Sequence, residues 1–229
     1  NGVLFSSEVF TWRMSKYIDK LNITLYSSNN KEHFLYTQKK QSYRVKHKAI
    51  ENCLKYGIEV QASILLLKTN IYNLRKIIDD TRNYWTDKHF TQNINLIEPS
   101  CQMGKTRNTW LVPQYWIVID ILNKLSLDDI PPHIKIQLIS SIPVCISSKL
   151  KNPHISMQFS WSFALALGFI SVCDTCQYKK DCKGIDMPYL DAFGEDEFIS
   201  PHNNINKESY SEESVYNALT KAKEEIVWY

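Results

Sequence analysis

Ile58-Glu59-Val60-Gln61-Ala62-Ser63-Ile64-Leu65-Leu66-Leu67 is the stretch that decides the fold. Its nearly continuous apolar character is what a parallel strand buried on both faces requires. Gly57 stands just before it and stops a helix over residues 42–56, where Val45, Ala49, Ile50, Cys53 and Leu54 fall in register. Asn70 stands just after it as the cap of a helix over residues 71–85, with Ile71, Leu74, Ile77, Ile78 and Trp85 on one face. A strand between two amphipathic helices is a β-α unit, and the alternation continues both ways. Upstream, apolar spacing over residues 7–21 predicts a helix, and Asn22-Ile23-Thr24-Leu25-Tyr26-Ser27 predicts a short strand ended by Ser28-Asn29-Asn30. Downstream, residues 93–97 predict a strand and residues 98–109 a glycine-containing loop. Pro113 then opens a helix to about Leu125, and residues 134–142 form a last strand. About four strands with short connectors specify an α/β fold with a parallel sheet, at least half of a six- or eight-stranded barrel.

The alternation breaks after Cys145. Residues 161–171 predict a strand or a buried helical turn, residues 200–213 a polar linker, and residues 210–228 a terminal helix. The chain therefore divides into a partial (β/α) barrel (residues 1–142), a Cys-rich extension (143–199), and a linker with C-terminal helix (200–229).

Composition narrows the function. A chain of 229 residues with 44% hydrophobic content can bury a core of its own, and its net charge of +3 is small and interspersed. Nothing in this suggests a nucleic-acid footprint, and the Lys-rich run over residues 31–48 reads as a solvated helix face. No signal peptide is expected, and the longest apolar run, residues 159–173, is shorter than the roughly 18 residues of a membrane helix. Six cysteines without secretory features fit a reducing compartment, so a cytoplasmic protein is expected, with metal ligation rather than disulfides. The first residue is Asn rather than Met, so the expectation is a fragment of a longer protein.

Four of those cysteines form the candidate metal centre: Cys145, Cys173, Cys176 and Cys182, the last three spaced C-x2-C-x5-C. Two residues between ligands make a tight knuckle, and a third thiolate can return from a short loop. Such a set suits an iron–sulfur cluster or structural zinc, and spacing alone does not choose. Cys53 reads as a core residue on its helix face, and Cys101 as a loop thiol close enough to a site to touch substrate. His33 reads as a local hydrogen-bonding residue and His154 as an alternative ligand. The tryptophans and tyrosines read as core. No Ser-His-Asp arrangement, phosphate loop or paired-carboxylate motif stands out.

The order of these features resembles the C-terminal part of a radical S-adenosylmethionine (radical SAM) enzyme that ends in an auxiliary-cluster extension of the SPASM or twitch type. Asn1-Gly2 resembles the close of the family's second barrel strand. Ile23-Thr24-Leu25-Tyr26-Ser27 with Glu32-His33-Phe34 resembles the third strand and the segment after it. Gln41-Ser42-Tyr43 with Ala49-Ile50 resembles the next helix, and Leu67-Lys68-Thr69-Asn70 the end of the fourth strand. The loop from Pro99 to Asn108, with Gly104, resembles the one after the fifth. Gly168-x4-Cys173 and the C-x2-C-x5-C run resemble the extension, and Gly184, Tyr189-Leu190, Phe193-Gly194 and Glu197 a recurring ending.

The sequence departs from the family in two ways. The extension lacks a further cysteine, which favours one auxiliary cluster over two. No C-x3-C-x2-C triplet is present to hold the family's catalytic cluster, and no cysteine precedes Cys53. The resemblance implies an enzyme that, when full length, uses S-adenosylmethionine and a second [4Fe–4S] cluster to make a 5′-deoxyadenosyl radical for hydrogen abstraction. It implies an auxiliary [4Fe–4S] cluster on Cys145, Cys173, Cys176 and Cys182, contacts to S-adenosylmethionine from Thr24 and Asn70, a one-electron reductant, and a peptide or small-molecule substrate. The alternative from a different class is a noncatalytic, metal-stabilised module that binds a peptide or protein.

Overall fold

The computed structural model describes residues 2–83, 92–99, 101–103, 106–107, 111–160 and 166–199. The expected linker and terminal helix over residues 200–229, and Trp161, lie outside them. Five strands form one parallel sheet: β1 (Lys20–Leu25), β2 (Glu59–Leu65), β3 (Gln92–Ile97), β6 (Ile134–Ser140) and β7 (Ile155–Phe159), lying side by side in that order. Two small antiparallel ladders accompany it, β4 (Gln102–Met103) with β5 (Thr106–Arg107) and β8 (Leu167–Gly168) with β9 (Ile185–Asp186). The helices are α1 (Glu8–Met14), α2 (Asn30–Thr37), α3 (Ser42–Lys55), α4 (Leu74–Arg82), α5 (Tyr115–Lys124), α6 (Val144–Ser147), α7 (Met187–Phe193) and α8 (Asp196–Ile199). The chain is an α/β protein.

Strand order follows chain order without reversal. Right-handed crossovers that keep stepping in one direction stack their helices on one face of the sheet. That face is the hydrophobic core: Ile23, Leu25, Val60, Ala62, Ile64, Ile94, Leu96, Ile136 and Leu138 are buried there with Ala49 and Ile50 of α3, Ile77 and Ile78 of α4, and Val118 and Leu122 of α5. The other face is polar. Thr24, Ser63, Asn95, Gln137 and Ser156 lie opposite one another across five strands, and Asn22, Gln61, Asn93 and Lys135 form the next row. The expectation that residues 58–67 are buried on both faces is thus corrected in part: Glu59, Gln61 and Leu65 are only half-buried, while Ala62, Ser63 and Ile64, and Leu66 and Leu67 beyond the strand, are buried in succession.

Other elements differ from expectation for physical reasons. The first helix ends at Met14, because Leu21, Ile23 and Leu25 alternate into β1 as well as they fit a helical spacing. Helix α2 has no matching expectation. Its apolar residues are spread around its circumference, and its clearest mark is Asn29, whose side chain accepts from the Glu32 amide at 2.9 Å. Asn70 does not cap α4. Its Oδ1 accepts from the Leu67 amide at 2.9 Å, and its Nδ2 donates to the Tyr26 and Leu65 carbonyls, both at 2.8 Å, joining the ends of β1 and β2. Nor is the Lys-rich run all solvated. Lys46 is buried, donates to the Thr24 carbonyl at 2.5 Å, and lies 4.9 Å from the centre of the Tyr26 ring. Burial lowers its pKa to about 8.

Candidate metal centre

Cys145 lies on α6, just past the carboxyl end of β6, and the other three cysteines lie in the loop between β8 and β9. The β8–β9 ladder closes that loop by pairing Leu167 with Asp186 and Gly168 with Ile185. Two glycines make the closure possible. Gly184 has φ of 102°, and a Cβ there would stand 2.7 Å from the Gly168 carbonyl oxygen; a Cβ on Gly168 would stand 2.5 Å from the Met187 sulfur. At Gly184 the obstacle is backbone, so only hydrogen fits there, and the position also needs glycine's left-handed freedom; at Gly168 the flexible Met187 side chain would have to move.

Within the loop, Cys173 sits in a 3-10 turn over Ser171–Thr175. The Cys176 amide donates to the Cys173 carbonyl at 3.2 Å, which folds the knuckle, and the Cys182 amide donates to the Tyr178 carbonyl at 2.9 Å. The Gly184 amide donates to the Cys182 sulfur at 3.4 Å. All four cysteines are free and half-buried. The Cys145 thiol is pushed up to about 11, first by burial and then by Cys176, Cys182 and Cys173, so the three loop sulfurs lie within electrostatic range of it. Among the described residues, no group of three or more His, Cys, Asp or Glu side chains stands at the spacing of a closed metal site. The four cysteines thus do not form a metal-holding group in this structure. His154 is engaged elsewhere, with its Nε2 3.2 Å from Asp128 Oδ1.

The extension is fastened over the carboxyl ends of the sheet strands. Helix α5 has no side-chain cap of its own. Its first amides are met instead by the extension: the Tyr115 amide donates to the Tyr189 hydroxyl at 2.8 Å and the Trp116 amide to Glu197 Oε2 at 3.3 Å. The Tyr189 hydroxyl in turn donates to Glu197 Oε1. The Tyr115 and Tyr189 rings stack with centroids 3.6 Å apart and planes 6° apart. An anion at a helix N-terminus is favoured by the aligned peptide dipoles. Burial works against that charge and raises the Glu197 carboxyl to about 7.

A second buried carboxyl lies at the end of β3. Glu98 Oε2 accepts from the Ser141 amide at 2.8 Å, and the Ser141 hydroxyl is 3.2 Å from both carboxylate oxygens. Burial raises this group to about 7 against those hydrogen bonds, and the nearby Asp186 of β9 raises it further. Cys101 is buried beside it and pushed up to about 12, by burial first and then by Asp186 and Glu98. Asp186 thus brings the base of the cysteine loop to the end of β3, where a carboxyl group poised near neutrality can take or give a proton.

Sequence reasoning misses these carboxyls because Glu98 is far along the chain from Asp186 and Glu197. Tyr189 and Glu197 belong to the recurring ending, and the structure gives them a packing role. Thr24 is half-buried on the polar face of the sheet, its side chain accessible and its carbonyl held by Lys46. Asn70 is buried, with both amide hydrogens and its oxygen already bonded to backbone. Cys53 is a core residue, as expected, and burial pushes its thiol up to about 12. His33 is fully buried. Neither of its ring nitrogens has a hydrogen-bond partner, contrary to the expected local role, and its neighbours are the Tyr26 and Tyr43 rings.

No protein-family model, curated protein or solved structure matches this chain. Its function therefore has to be argued from its own residues.

Proposed function

We propose that this chain is the C-terminal part of a radical SAM enzyme, with a partial barrel and an extension holding one auxiliary [4Fe–4S] cluster. What supports the reading most is the spacing of four cysteines, Cys145 on α6 just past the end of β6 and Cys173, Cys176 and Cys182 on one loop closed by a β ladder, in a protein with a singly wound parallel sheet. Parallel barrels place their sites at the carboxyl ends of their strands. The donor chemistry fits an iron–sulfur centre, since thiols that repel one another's ionisation are stabilised by a shared cation. When bound, the auxiliary cluster would supply one-electron transfer, fed by a one-electron reductant, or brace the substrate pocket.

This chain's own residues have more defined tasks. Tyr189 and Glu197 fix the extension on α5, and Glu98 holds a proton at the end of β3. Thr24 offers a hydroxyl on the polar face as a contact for S-adenosylmethionine. Asn70 braces the strand ends that frame the site, and its filled hydrogen bonds withdraw it as a cofactor contact. The residues for a catalytic cluster do not fit, because no C-x3-C-x2-C triplet is present. A peptide or small molecule is the proposed substrate.

The test is anaerobic expression followed by iron, sulfide and zinc analysis with an absorption spectrum, for this chain and for Cys176→Ala. About four irons and four sulfides per chain, lost in the variant, are expected of a single cubane cluster. One zinc with no sulfide would sink the radical reading and leave the metal-stabilised binding module in its place.

A further inference from the structure

The extension meets the sheet through buried carboxyl groups that have no cation beside them. Glu98, at the end of β3, is 3% exposed and is hydrogen-bonded by Ser141. Glu197 of α8 is also 3% exposed and accepts from the Tyr189 hydroxyl of α7 and the Trp116 amide of α5. Neither carboxyl has an ion-pair partner among the described residues. Asp186 of β9 and Cys101 complete the cluster: the Cys101 thiol feels Asp186, Glu98 and Glu197 together, so carboxyls from three elements converge on it. Tyr115 of α5 faces Glu98 and stacks on Tyr189. Lys68, after β2, acts on Cys101 in the opposite sense, with its Nζ 5.3 Å from the centre of the Phe193 ring. Buried carboxyls without a counter-charge keep their protons to higher pH, because burial penalises the ionised form.

We infer that the extension is a proton-sensitive strap, closed over the carboxyl ends of the strands while Glu98 and Glu197 are protonated and lifting as they ionise. Lifting returns both carboxyls to water, where they ionise near 4.5 instead of about 7. Both groups are thus raised by docking. The closed state is fully favoured below pH 4.5, loses ground as the pH rises from there to 7, and changes no further above. Tyr189 and Glu197 leave together, so the first amides of α5 lose the partners that cap them. The cysteine loop runs through β9 directly into α7, so it moves with the strap, away from Cys145 on α6. The strap needs no metal. It goes beyond the proposed function and stands or falls separately from the iron analysis.

The experiment is amide hydrogen exchange of the full, metal-free chain from pH 4.5 to 8, with protection corrected for the intrinsic rate at each pH. The reporters are the Tyr115 and Trp116 amides, which the strap itself caps, and the references are the Ile64 and Leu96 amides of the central strands. Protection of the two reporters should fall at least tenfold between pH 5 and pH 7, level off above, and at pH 7 lie at least tenfold below that of the references. In the Glu98→Gln, Glu197→Gln double variant the reporters should lose this pH dependence. Each single variant should keep about half of it on a logarithmic scale, and the singles serve if the double variant does not fold. Equal reporter protection at pH 5 and pH 7 would overturn the inference. So would one shared protection for reporters and references at every pH, or a pH dependence undiminished in all the variants.

Discussion

Glu98 combines complete burial with two hydrogen bonds from Ser141, and these act on its charge in opposite senses. Burial wins and raises the carboxyl from 4.5 to about 7. A group whose pKa is raised on folding contributes stability that is fully present below its unfolded value and is lost as pH rises through the folded one. Compared with Glu98→Gln, which cannot ionise, the native chain should therefore be relatively most stable below pH 4.5. That advantage should shrink by about 3 kcal/mol once the pH passes 7. Urea denaturation of both proteins across this range is the measurement. A stability difference independent of pH would mean that the Glu98 pKa is the same in the folded and unfolded chain, so that the group is no proton store. Using the difference between two proteins matters, because His33 and His47 shift the other way, to about 3 and about 4, and add a pH dependence of opposite sign.

At the scale of the element, the cysteine loop depends on the β8–β9 closure and the closure depends on Gly184. Gly184→Ala combines a left-handed φ with a clash against the Gly168 carbonyl, whereas Gly57→Ala has a φ of 73° but nothing within 4 Å of the new Cβ. The first should cost about 1–3 kcal/mol more than the second and speed modification of the loop thiols by a disulfide reagent. Equal losses in the two variants would mean that backbone strain alone is at work and that the close approach does not hold the loop. This ladder also shows what sequence can and cannot reveal. The strands around Ile23, Ile64, Ile94 and Ile136 are legible because apolar runs that short, bounded by turn residues, bury best as strands. Strand β7 is not, since its outward residues Ser156 and Gln158 and its short length dilute the pattern. The four cysteines are legible by spacing. The Glu98–Asp186–Glu197 set is not, because its members meet only through the docking of the extension.

For the whole molecule, the five-stranded sheet leaves two outer strands among the described residues, β1 and β7. Beside β1 the chain also exposes apolar surface: Val3, Leu4, Val9, Trp12 and Tyr17 are all largely open to solvent, and all lie within the segment that leads into that strand. Unpaired backbone along an outer strand and apolar side chains beside it act together, since pairing with another strand satisfies the first and buries the second. Lys20 and Asn22 on β1 oppose this only partly, because Lys20 is already paired with Glu59. The isolated chain should therefore self-associate as its concentration rises, which sedimentation or light scattering would detect. Val9→Lys with Trp12→Lys should shift the balance toward monomer by removing apolar area without touching the sheet. A native chain that stays monodisperse at high concentration would mean that this face is satisfied within the chain itself. If instead association is lost in the double variant, this face is where a further β-α unit or another copy completes the fold.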